Sequence, residues 1–109
     1  MLVRVTTAIP AGAVTLHRKA FALLDKWGWG PFLAYTAGWE KRGNGHKAPR
    51  VQDSVMIHHT GGAATSTDYL IKGDPGRGLP GPLCNVHIDP GDRRIRLLGA
   101  GPASHAGMG

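Results

Sequence analysis

A short apolar run, Val55-Met56-Ile57, leads straight into His58-His59-Thr60-Gly61-Gly62, and no other stretch restricts the fold of this chain as much. Consecutive apolar residues closed by glycine mark a strand in the interior of a sheet. The pattern predicts a strand over residues 54–59 that opens into a loop of ligand-capable side chains. Functional groups concentrate just past such strand ends, where a rigid scaffold meets an open loop. Imidazole is the commonest metal ligand and titrates near neutral pH, so His58 and His59 are candidates for either role. An ordinary strand with one histidine packed and the other solvated accounts for the dipeptide equally well.

An interior strand needs partners, and the rest of the chain is read with that in view. The 109 residues suit one domain near the lower end of the usual size, and 17 Gly with 8 Pro imply much irregular chain. A short strand is expected over residues 2–7. Thr15 is a fair N-cap for a helix over residues 15–27, with Ala20, Leu23, Leu24 and Trp27 forming its apolar face and Gly28 and Gly30 ending it. Residues 38–52, including Trp39, Asn44 and His46, read as a polar surface connection that can border a site. Thr65 or Ser66 caps a short helix that stops at Gly73. The Gly- and Pro-punctuated stretch 74–82 lacks the spacing and the Lys of a phosphate-binding loop. Residues 83–89 read as a second interior strand, Pro90-Gly91-Asp92 as a turn, and residues 94–98 as a half-buried partner. Together they predict a hairpin beside the strand of His58, in a mixed α/β fold with a central sheet flanked by helices.

Charge narrows the choice of partner. The net charge is +6 and the pI about 10.1, which favours nucleic acid, a membrane face or an anionic cell wall. The basic residues are scattered and no aromatics interleave them as in a strand-binding platform, so a nucleic-acid role rests on charge alone. No apolar run approaches the roughly 20 residues of a membrane span. The N-terminus lacks the basic, apolar, small-residue order of a signal peptide, so synthesis in a cytoplasm is expected. Cys84 is the only cysteine, which excludes an internal disulfide. No H-E-x-x-H or Cys-x-x-Cys is present, and the ligand candidates His58, His59, Cys84, His87 and His105 come from three segments. A Cys84–histidine nucleophile is the competing arrangement, although a thiol in a strand pattern is usually an inert small hydrophobe.

Several features stand in one order: Val55 to Thr60, a Ser/Thr-rich helix start, Pro80-Gly81-Pro82-Leu83-Cys84-Asn85-Val86, the Asp89-Pro90-Gly91 turn, and Ala100 to Gly107 with His105. That order resembles the front of a type 2 N-acetylmuramoyl-L-alanine amidase domain, the peptidoglycan-recognition-protein fold, as found in endolysins of phages that infect actinobacteria. The resemblance divides the chain into a leader with one amphipathic helix, residues 1–50, and the N-terminal portion of an amidase-like domain, residues 51–109. It implies a zinc hydrolase acting on peptidoglycan, made in the host cytoplasm and working at the cell wall. His58 maps to the first zinc ligand, and His59 and Thr60 flank the metal. Cys84 stands where many members carry a Tyr near the zinc, with Asn85 beside it, and His105 matches a histidine that borders the cleft. The remaining ligands of the family lie further downstream than Gly109. A fragment or split subunit completed by a complementary C-terminal lysin segment is therefore expected. A non-catalytic peptidoglycan-binding module is the alternative, and a small basic nucleic-acid-binding protein a more distant one.

Overall fold

The longest stretch without Gly or Pro after the N-terminus forms the longest helix. In the computed structural model, which describes residues 9–46, 55–59 and 65–105, α1 spans Ala11–Leu24. It begins before Thr15 because Pro10 takes the N-cap position. A residue without an N–H is tolerated there, since the first-turn N–H groups lack helical partners anyway. A wider turn, Asp25–Trp29, follows, and Gly28 at φ 94° ends the helical path where glycine was expected to. The apolar face differs from the expected one. Ala13 and Phe21 are buried and Val14 and Leu24 partly so, whereas Ala20, Leu23 and Trp27 face solvent. Phe21 rests against the Tyr35 ring at 5.2 Å, and seating that ring rotates residues 20, 23 and 27 away from the core.

The main sheet has the order β1-β5-β4, with β1 at Leu33–Tyr35, β4 at Val86–Asp89 and β5 at Arg94–Leu97. The expected hairpin is β4–β5, antiparallel with Val86 opposite Leu97 and Asp89 opposite Arg94. Its turn is held by the Asp89 carboxylate accepting from the Gly91 N–H at 2.9 Å. Arg96 clasps Asp89 at 3.2 Å and also Asp92, and its donated hydrogen bond holds the Asp92 carboxyl below the usual range. β1 was not expected from sequence; three residues are too few to show alternation. It is recruited as a parallel neighbour of β5, Leu33 opposite Ile95 and Tyr35 opposite Leu97.

Two expectations about strands are corrected. The strand foreseen over residues 83–89 starts only at Val86, because the chain before it bonds elsewhere: Leu83 N–H donates to Leu70 at 2.7 Å. Among the described residues it is also an edge strand, not an interior one. Ile88 is 70% exposed while His87 is 5% exposed, its Nδ1 lying 3.2 Å from Thr67 Oγ1. The pleat alternates faces, and the register with β5 sends the imidazole inward and both apolar neighbours outward. Residues 55–59 form no strand at all, and Val55 and Ile57 are 90% and 91% exposed. The central place an interior strand would occupy is already filled by β5, flanked on both sides. The hairpin therefore does not lie beside a His58 strand. Ser54 and the strand expected over residues 2–7 lie outside the described residues.

The second helix, α2 at Thr67–Lys72, matches its sequence signals. Ser66 caps it by accepting from the Tyr69 N–H at 3.1 Å, and Gly73 at φ 80° stops it. The punctuated loop that follows contains two short paired strands, β2 at Gly73–Asp74 and β3 at Leu79–Pro80, around a turn at Pro75–Arg77.

The core joins Phe21, Trp39, Leu97 and Ala100, with Ile9, Val14, Leu24, Leu33 and Ile95 packed against it. It draws on both sides of residue 50, and β1 and β5 share one sheet across that point. Trp39 is buried, although the polar sequence around it predicts a surface connection. Its carbonyl accepts from Ala100 N–H at 2.9 Å, and Arg18 stacks over its ring at 5.1 Å. Residues 47–52 of that connection lie outside the described residues. Among the described residues no helix is long and apolar enough to cross a membrane.

A candidate metal-binding site at His58 and His105

The segment that carries His105 is fastened by polar contacts on both flanks. Asn85 donates both side-chain amide hydrogens, to Gly99 O at 2.8 Å and Gly101 O at 2.7 Å, and its backbone carbonyl accepts from Leu98 N–H at 2.7 Å. Further along, Ser104 N–H donates to Pro82 O at 2.9 Å, Asn44 N–H to Pro102 O at 2.8 Å, and the Asn44 side chain to Ser104 Oγ at 3.2 Å. These contacts lead residues 99–105 from the core, where Gly99, Ala100 and Gly101 are buried, out to the surface as a strap whose last described residue is an exposed imidazole.

That imidazole meets the one singled out from sequence. His58 Nε2 and His105 Nδ1 lie 3.2 Å apart, with ring centroids separated by 5.3 Å and planes inclined at 41°. Both rings are exposed. Two nitrogens on one tetrahedral zinc at 2.0–2.1 Å stand about 3.3 Å from each other. The pair therefore fits two positions of such a site. Among the described residues no group of three His, Cys, Asp or Glu side chains gathers at one point.

The other sequence candidates separate. His59 is exposed beside His58, and Thr60 lies outside the described residues. Cys84 is part-buried, and desolvation pushes its thiol up to about 11, so it is neutral near pH 7 and a poor nucleophile there. His87 is turned inward onto Thr67. Asn85 spends its amide on holding the strap. Asn85→Ala is expected to lower unfolding free energy by about 2–4 kcal/mol, because two carbonyls lose their donors. Chemical denaturation checks this; an unchanged midpoint with lost cell-wall binding would instead make Asn85 a substrate contact. Sequence reading missed the anchoring parts of Asn44 and Ser104, since a loop Asn and a tail Ser carry no signal of a partner 60 residues away.

Part of the basic surface is taken up by ion pairs. Arg18 meets Glu40 at 3.2 Å, Lys72 meets Asp68 at 3.0 Å and Arg77 meets Asp74 at 3.5 Å. These are exposed pairs of small energetic weight, consistent with solvated charge. Comparison of the chain with protein-family models, curated proteins and solved structures gives no match.

Proposed function

We propose that this chain belongs to the zinc-dependent N-acetylmuramoyl-L-alanine amidases, with His58 as a metal ligand at an endolysin-like active site. The single observation that supports this most is the meeting of His58 and His105, two histidines drawn from the two ends of the resembling stretch. The mixed α/β fold is compatible with it, and a net charge of +6 suits an anionic cell-wall polymer.

Under this reading the chain's residues have distinct tasks. His58 presents a neutral nitrogen to the ion, and His59 lines the approach of the substrate. Asn85 and Ser104 position the strap so that His105 borders the same opening. Zinc supplies Lewis-acid polarisation of the amide carbonyl between the lactyl group and L-alanine, and makes water more acidic. Hydrolysis adds one water across that bond and leaves a lactyl carboxylate and a free α-amino group on alanine.

The test is an incubation of zinc-loaded chain with purified peptidoglycan, alone and mixed with a lysin segment bearing a further His and a Cys or Asp. New alanine N-termini, lost in His58→Ala, are expected in the mixture. Their absence under both conditions would overturn the amidase reading. Retained co-sedimentation with the wall in that case would identify a non-catalytic peptidoglycan-binding module, which the net charge favours equally.

A further inference from the structure

We infer that His105 is a metal ligand in its own right, and that His58 and His105 form a two-imidazole site for a borderline divalent ion such as zinc. The inference deepens the amidase reading and rests on it for zinc as the native ion. The two-ligand geometry is independent of that reading. Resemblance to the amidases assigns His105 only a place at the rim of the cleft.

Three observations carry the assignment. The facing nitrogens, His58 Nε2 and His105 Nδ1, are 3.2 Å apart, close to the spacing of two donors on one tetrahedral ion. The rings are tilted at 41°, not stacked, and both residues are exposed. Finally, His105 is delivered by a strap bonded to Pro82, Asn44 and Asn85, which reduces the ordering cost of bringing one donor to the other.

Without metal, one facing nitrogen carries the proton of the hydrogen bond and the other accepts it. Ligation needs a lone pair on both. A tautomer shift meets that need, moving the shared proton to the ring nitrogen on the far side of the same imidazole. Neutral rings thus bind without net proton release. Two imidazoles select zinc, copper or nickel over magnesium or calcium, which prefer oxygen donors.

The test titrates the whole chain with zinc sulfate at neutral pH by calorimetry, and follows histidine ring signals by NMR. One-to-one binding is expected, shifting the signals of His58 and His105 but not those of His17, His46 or His87. His58→Ala and His105→Ala should each weaken it by more than the roughly 10–100-fold typical of outer-shell partners. His46→Ala should leave it unchanged, and equimolar magnesium should not compete. Both ligand rings are exposed, so the variants are expected to fold, with circular dichroism as the check. Binding that His105→Ala leaves intact while His58→Ala abolishes it would overturn this inference and spare the amidase reading. Zinc binding that needs both histidines, with no release of alanine N-termini from peptidoglycan, would support the site and overturn the amidase reading. No one-to-one binding would overturn the site.

Discussion

Leu97→Ala is expected to lower the unfolding free energy by about 2–5 kcal/mol, the range for truncating a fully buried leucine. Leu97 sits at the end of the central strand, with no exposed surface, among Phe21, Trp39 and Ala100. The cost has two parts: lost transfer of the removed carbons, and a cavity that the surrounding rings cannot close. A cavity lined by rings from α1 and the Trp39 turn on one side and a strand on the other cannot collapse unless those elements shift toward each other. A domain of this size holds only about 5–15 kcal/mol in total, so the variant should sit near the edge of folding. Denaturant titration should show a lower midpoint with little change in slope. Leu23→Ala on the solvent face of α1 is the comparison and should shift stability by less than about 1 kcal/mol. Similar midpoints for the two variants would show that the core is not centred where Leu97 places it.

Gly81→Ala should be comparably damaging, on the order of 3 kcal/mol, for a reason of close approach and not of burial. A Cβ at position 81 would stand 2.0 Å from Ile71 O, 2.5 Å from Lys72 C and 2.8 Å from Gly73 N. All three are backbone atoms, so no side-chain rotation relieves the overlap. The end of α2 and the paired strands β2 and β3 would have to separate. That movement would also displace Pro82, whose carbonyl anchors Ser104, and hence the strap that ends in His105. Gly81→Ala is therefore expected to lower both the thermal midpoint and zinc affinity. Gly12→Ala, where a Cβ meets nothing within 4 Å near the start of α1, should be neutral or stabilising by up to about 1 kcal/mol. An unperturbed Gly81→Ala would mean that the α2 end and the β2–β3 pair do not touch as described.

Elements whose signals are local were legible in the sequence. Ser66 caps α2 and Gly73 stops it through atoms within a few residues, and the Asp89–Asp92 turn closes on itself. Elements decided by partners were less so. The helix face turned because Phe21 found Tyr35, a choice that Leu23 and Trp27 cannot register from within the helix. Trp39 lies in polar sequence and yet is core, because Ala100 and Arg18 come from far along the chain to cover it. The run Val55-Met56-Ile57 has the composition of an interior strand, but strand character is realised only by pairing, and β5 already has two neighbours.

The sequence alone determined the mixed α/β class, the hairpin and its turn, the start and stop of α2, and the candidacy of His58. Each follows from forces acting over one or two turns of chain: periodicity, capping, and the φ freedom of glycine. The tertiary structure alone decided which apolar residues are core, that β4 is an edge with His87 inward, and that His58 meets His105. Those outcomes depend on groups separated by tens of residues, 47 in the case of the two histidines. Bringing such groups together costs chain entropy that only the assembled core, strap and sheet can offset.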